Sequence, residues 1–300
     1  MIIRPDNSLL EIQSPFGGIA KLIQKVTIDE ICEKYRQKCG IDVSPSFRNL
    51  ETDEVYLYQC QNTGYKFWRP SEIVGDEDFY KKISTSWPNY YRTTRWEHFH
   101  ARKYLSTCKS VLEIGCGTGI FLKSLEGHVT KAQGIEFNRD AISNKVTNFP
   151  IENISIEDIS KRSISFDAVY AFQVLEHITD PYSFLHSALG CVSRGGLLIF
   201  SVPNNDHIKF QKQQDAFDMP PHHCGHFNPE VCKKIAEIFH MKVENIHIQK
   251  SLFTMPETSL KTQQSNIYKI TRLVTRIVMN TTYSITKEPG ENILMVFKKK

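Results

Sequence analysis

From residue 110 onward, short strand-like runs alternate with helix-like ones, and this order limits the fold more than any other feature of the chain. Ser110–Ile114 (SVLEI) is a short run rich in β-branched residues, and Gly119–Leu125 reads as helix. Ala132–Phe137 (AQGIEF) is a second strand, with a helix expected from Arg139. Ile151–Ile156 and Phe166–Phe172 (FDAVYAF) supply a third and a fourth strand. Asp180-Pro181 offers a side-chain cap and a proline at the first helical position, so a helix starts there. LLIFSVP after Gly195-Gly196 is the fifth strand, Asn228-Pro229 opens another helix, and strands at Lys242–Ile248 and Asn292–Lys298 close the chain. Near-continuous apolar strands separated by helices predict an α/β fold, with a parallel sheet covered on both faces.

The first turn of that pattern carries chemistry. In VLEIGCGTGIFL, residues 111–122, glycines 115, 117 and 119 lie between a strand and a helix, where backbone can approach a ligand closely. The dinucleotide fingerprint G-x-G-x-x-G would need glycine at position 120, which is Ile120. A P-loop would need Gly-Lys-Ser/Thr, which is missing as well. Glu113, two residues before the first glycine, would repel a pyrophosphate and attract a cation. S-adenosyl-L-methionine has an ammonium and a sulfonium and no phosphate, so it fits this loop better than NAD. Glu136, at the end of the second strand, can accept both hydroxyls of an unphosphorylated ribose.

The rest of the chain is read with composition in hand. Three hundred residues allow one large domain or two modest ones, and a net charge of +4 gives no electrostatic case for DNA as the partner. The eight cysteines (32, 39, 60, 108, 116, 191, 224 and 232) include no C-x-x-C pair, and Thr63 stands where a zinc-knuckle partner of Cys60 would be. No metal site is expected. No secretory signal or membrane-length apolar run is visible, so the expected compartment is the cytoplasm. Twelve of the 33 aromatic residues fall between Tyr56 and Phe99. Residues 1–88 are therefore read as an irregular aromatic-rich module that needs the remaining chain, 89–300, to bury its rings. The stretch YRTTRWEHFHARKYL looks helical, with Trp96, Phe99, Tyr104 and Leu105 approximating one face. A helical insertion is expected at about 255–287. Its basic amphipathic part, 264–280, could touch an anionic lipid surface, but docking over the active site is the favoured reading.

At these motifs the chain resembles the class I S-adenosylmethionine-dependent methyltransferases, from about Tyr91 to Phe297. VLEIGCGTG looks like the family's first motif and GIEFN its second. SIED resembles its adenine segment, FDAVYAFQVLEHITDP its fourth-strand motif and GGLLIFSVPN its fifth. The nearest subgroup looks like ubiquinone-type and sugar or polysaccharide small-molecule enzymes, which PHHCGHFNPEV supports. The resemblance implies a Rossmann-like, doubly wound, mostly parallel seven-stranded sheet with an antiparallel last hairpin strand. By position, Glu113 and the loop Gly115, Cys116, Gly117, Thr118 and Gly119 would hold the methionine part. Glu136 would hold the ribose, Phe137 would pack on adenine, and the Ile156–Glu157 backbone would meet the adenine ring. The family often has Asp where Ser155 stands. Phe172 and Gln173 would end the fourth strand beside the methyl group, with Glu176 and His177 opening the following helix as structural or cofactor-side residues.

The acceptor is read by elimination. AFQVLEH replaces the Asn/Asp-Pro-Pro-aromatic turn of adenine and cytosine amine methylation, and the Pro-Cys of cytosine C5 methylation is absent. Four of eleven histidines lie in 207–226, and imidazole is the natural base for a hydroxyl proton near neutral pH. His222 and His223 are the expected catalytic bases. His226, beside a helix cap, suits a structural role. A histidine–metal site lacks a carboxylate at regular spacing. Tyr90, Tyr91, Trp96, His177 and His226 are candidates for the acceptor pocket. The expected reaction methylates a small-molecule acceptor, a hydroxyl of a sugar or polysaccharide precursor. The competing readings are a quinone or phenol O-methyltransferase, a protein or RNA methyltransferase, and a binding protein that keeps the fold without the chemistry.

Overall fold

The computed structural model describes residues 10–86, 95–207, 215–249 and 290–300. The N-terminal part contributes strands β1 (Glu11–Gln13), β2 (Ile19–Thr27), β3 (Glu54–Cys60) and β4 (Lys66–Arg69), with helices at Ile28–Cys39 and Glu77–Ser86. After the helix Trp96–Leu105 come β5 (Ser110–Ile114), β6 (Lys131–Ile135), β7 (Ile151–Glu152), β8 (Phe166–Phe172) and β9 (Val192–Pro203). The last strands are β10 (Gly225–His226), β11 (Lys242–Ile248) and β12 (Asn292–Lys298). Among the described residues no helix is long and apolar enough to cross a membrane.

Seven of these strands form one sheet, in the order β11-β12-β9-β8-β5-β6-β7. The pairs β5–β6, β5–β8, β6–β7 and β8–β9 are parallel, while β12 runs antiparallel to both β9 and β11. This is the expected doubly wound sheet with its antiparallel last hairpin. The carboxyl ends of β5, β6, β8 and β9 open on one side, where such sheets bind ligands.

Local chemistry sets the helix starts. Asp180 and Asn228 accept hydrogen bonds from Ser183 N (3.1 Å) and Val231 N (2.8 Å), each with proline at the first helical position. Two expectations need correction. The third strand stops at Glu152, because Asn153 Nδ2 donates to the carbonyls of Glu136 and Phe137, and Ser155 caps a helix at Ile156–Lys161. In the helix Trp96–Leu105 the buried residues are Glu97, Ala101 and Leu105, at a spacing of four. Phe99 is 67% exposed, with the Lys103 ammonium over its ring.

The N-terminal strands form a second, antiparallel sheet ordered β1-β2-β3-β4-β10. Its last member comes from far along the chain: Gly225 pairs with Phe67 and His226 with Lys66. A Cβ on Gly225 would lie 1.9 Å from Tyr65 Oη, so only glycine lets this strand approach. The aromatic rings expected to need cover find it here. Phe16, Tyr58, Tyr65 and Phe67 share one core with Leu112, Phe200 and Phe227. Tyr35, Trp68 and Phe79 pack with Ala216 and Met219. The expected insertion at 255–287, its amphipathic part 264–280, and Tyr90 and Tyr91 lie outside the described residues.

Candidate active site

A cavity of about 680 Å³ opens at the carboxyl ends of the strands. One end is the glycine loop. Gly115 N and Cys116 N both donate to the Ile135 carbonyl, which ties the loop to β6. Gly117 has φ +55°, and a Cβ built on it meets nothing within 4 Å, so this peptide faces open space. The Glu136 carboxylate closes the turn: Oε2 accepts from Gly117 N at 2.8 Å, and Oε1 accepts from Phe137 N and Asn138 N at 2.8 Å each. Glu113 is buried, its Oε2 accepting from the Tyr170 hydroxyl at 3.4 Å. Burial, reinforced by the negative charge of Glu136, holds the Glu113 carboxyl well above the usual carboxylate range. A buried acid of this kind is poised to ionise against an arriving cation. Burial and the same two carboxylates push the Cys116 thiol upward, so it stays protonated.

Glu113, Gly115, Cys116, Gly117, Thr118, Glu136, Phe172, Gln173, Trp96, His177, His222 and His223 all line the cavity. The structure thus brings most of the candidate residues together. Gly119 does not line it; a Cβ there would strike Thr147 at 2.6 Å, which is a packing constraint. Phe137 is 71% exposed beside the cavity, and neither Ile156 nor Glu157 belongs to its wall. Ser155, the departure from the family pattern, spends its hydroxyl on the Asp158 backbone and carboxylate. Gln173 takes a left-handed φ of +55°, unusual for a side-chain-bearing residue. It is pinned by its N–H to the Ser201 carbonyl (2.9 Å) and its Nε2 to Ser201 Oγ (3.3 Å).

The opposite end is histidine-rich. His177 Nδ1 donates to the His222 carbonyl at 2.6 Å, and Tyr80 Oη of the N-terminal part lies 3.2 Å from the same nitrogen. His222 Nδ1 donates to the Phe217 carbonyl at 2.8 Å, and His223 Nδ1 to Asp218 Oδ1 at 3.2 Å. Burial pushes His177 down to about 4. Burial, with the neighbouring His223 and His177, takes His222 well below its ordinary value. His226 stands outside the cavity wall: its Nε2 donates to the Asp218 carbonyl at 2.9 Å, and Trp68 Nε1 lies 3.3 Å away. Glu176 is 1% exposed, and burial lifts its carboxyl to about 8. Sequence reasoning passed over Tyr80, Asp218 and the wall residues Arg95, Glu97, His98, Glu291 and Asn292. Only Asp218, close before the histidine pair, carried a usable local signal.

A family profile described as "Methyltransferase domain" matches residues 89–245. The chain belongs to that family. Among curated relatives, the ubiquinone biosynthesis O-methyltransferase of Glaesserella parasuis is 33% identical over 109 residues, which are 32% of this chain and 46% of that one. Its counterpart in Hydrogenovibrio crunogenus is 31% identical over 110 residues, 34% and 46% of the two chains. The chain spans about half the length of these relatives. A crystal structure described as a SAM dependent methyltransferase from Archaeoglobus fulgidus, 19% identical, superposes with a TM-score of 0.52 over 75% of this chain and all of that one, a likeness of fold. The expected family and its cofactor, S-adenosylmethionine, stand. The site suits that cofactor on its own evidence. The methyltransferase loop from 113 to 119 has no basic residue, two carboxylates flank it, and the Gly117 backbone leaves the room a ligand needs.

Proposed function

We propose that this methyltransferase transfers a methyl group from S-adenosylmethionine to a hydroxyl of a small molecule, a sugar or polysaccharide precursor. Glu113 and the 115–118 backbone would hold the methionine part and Glu136 the ribose, exchanging its bond from Gly117 N for the sugar hydroxyls. When bound, the cofactor supplies a methyl carbon on a cationic sulfur. The chain's own residues then have to exclude water, aim the acceptor oxygen and take care of its proton.

The observation that carries this reading is the shared cavity, which joins the acidic glycine loop to Glu176, His177, His222 and His223. Asp215, Glu291 and Asn292 add further polar groups to the wall. A polyol finds hydrogen-bond partners in such a wall, whereas a prenylated ring would strand them. Of the two expected bases, His223 is the better placed, since Asp218 orients it and supports a positive charge. The depressed basicity of His222 makes it a weak proton acceptor at neutral pH. In this reading residues 1–88 form a module that shapes the acceptor end, and 89–300 carry the transfer chemistry.

The second reading is a phenol acceptor. The names of the relatives quoted above favour it, and Trp96, Phe121, Phe172 and Phe217 supply aromatic wall. Labelled-methyl transfer to a panel of nucleotide sugars and oligosaccharides against catechols and polyprenyl phenols separates the two. Label on the sugars alone is expected. Label on the phenols alone would replace this proposal by the second reading.

A further inference from the structure

We propose that His177, His222, His223 and Glu176 form a binding site for one divalent transition-metal ion. One ring nitrogen from each histidine lies within 4.8 Å of the others, and all four residues border the same cavity. The chain reaches this spot from two places. Glu176 and His177 end the turn after β8, and His222 and His223 follow Pro221 on the segment that leads into β10.

Each imidazole is already held as a metal ligand is held. In all three, Nδ1 faces an oxygen: the His222 carbonyl, the Phe217 carbonyl and the Asp218 carboxylate. A proton fixed on Nδ1 leaves the basic lone pair on Nε2, and such outer contacts orient metal-binding histidines. Asp218 is in turn anchored by Asn205 Nδ2 at 2.9 and 3.0 Å.

Glu176 is the independent observation. Its Oε1 lies 3.9 Å from His177 Nε2, while its buried Oε2 has no hydrogen-bond partner among the described residues. A buried carboxylate oxygen without a donor is costly, and a bound cation would compensate it. Three neutral imidazoles and one carboxylate suit zinc, cobalt or iron better than magnesium or calcium, which prefer all-oxygen shells. An ion here would polarise an arriving hydroxyl and ease loss of its proton, and with His223 Nε2 on the ion it would take over the role given above to that imidazole. That role rests on the acceptor reading above; the site itself does not.

The test uses the full chain, stripped with a chelator and titrated without acceptor or cofactor. Cobalt(II) is expected to bind at about one equivalent with a visible ligand-field absorption that zinc displaces and a large excess of magnesium does not. His177→Gln and His223→Gln should each weaken cobalt binding at least about tenfold, while S-adenosylhomocysteine still raises the melting temperature of both variants and so reports an intact fold. No bound cobalt, unchanged affinity in the two variants, or displacement by magnesium would each overturn the site. Metal bound as described, but no methyl transfer to any hydroxyl by the loaded protein, would instead sink the functional reading and leave the site standing.

Discussion

The acidic glycine-loop end of the cavity, proposed above for the cofactor, comes mainly from one stretch, Glu113 to Glu136, whereas the histidine end, proposed for the acceptor, gathers Glu176, His177, His222 and His223, with Tyr80 and Asp218 behind them. The first is made mainly of backbone: a glycine loop tied to β6 and a carboxylate accepting three N–H groups. The second is made of side chains whose orientation depends on contacts across long stretches of sequence. A ligand common to a whole family can be held by backbone that tolerates much variation around it. An acceptor peculiar to one member is held by side chains, which single substitutions can alter.

If the two ends are separable, changes at one should leave the other untouched. The largest effect is expected at His223. His223→Ala should lower turnover by about 10²–10⁴-fold, the range for loss of a group that handles the proton, and leave S-adenosylhomocysteine affinity within about twofold. Loss of cofactor binding as well, by calorimetry, would break the division. Glu136→Ala is the mirror experiment. Losing charged hydrogen bonds to the ribose should cost about 1.5–3 kcal/mol of cofactor affinity, with the Michaelis constant for the acceptor unchanged. Smaller still is Tyr80→Phe, which removes one contact to His177 from the N-terminal part. A fall in turnover of a few fold without a change in cofactor affinity would place that part on the acceptor side. No change in turnover would make the contact incidental.

The smallest effect concerns pH and His98, which lines the cavity against Phe121 and Phe172. Burial, with Arg95 and Arg102, pushes it down to about 4. The unfolded chain takes up this proton near pH 6.5 and the folded chain only near 4. Stability is therefore lost on acidification through that window and is fully present above it. In His98→Phe the melting temperature should fall less steeply between pH 6.5 and 4 than in the parent.

The same contrast explains what could be read in advance. Strands β5 to β9 and the caps at Asp180 and Asn228 were legible because period, glycine spacing and capping residues act over a few positions. The third strand was drawn too long because Ile154 and Ile156 look like strand residues; side-chain bonds from Asn153 and Ser155 turn the backbone first. Phe99 was misplaced by counting aromatics instead of following the spacing of Glu97, Ala101 and Leu105. Glu113 and Glu136 could be found from position alone. The meeting of His177 with His222 and His223 could not, since 45 residues separate the first two and only the tertiary fold joins them. The expectation of no metal rested on local spacing, a rule that does not reach ligands drawn from distant segments, as in the proposed site.

One pairing has a wider consequence. The two residues Gly225 and His226 are stitched into a sheet that otherwise belongs to the first 70 residues, and only Cys224 separates them from the histidine pair His222-His223. A shift or twist of that sheet would therefore bear on the histidine end of the cavity, while the glycine loop is built on the other sheet. On the proposed division of the cavity, drift in the front part of the chain would tune what is methylated and leave the methyl donor's seat as it was.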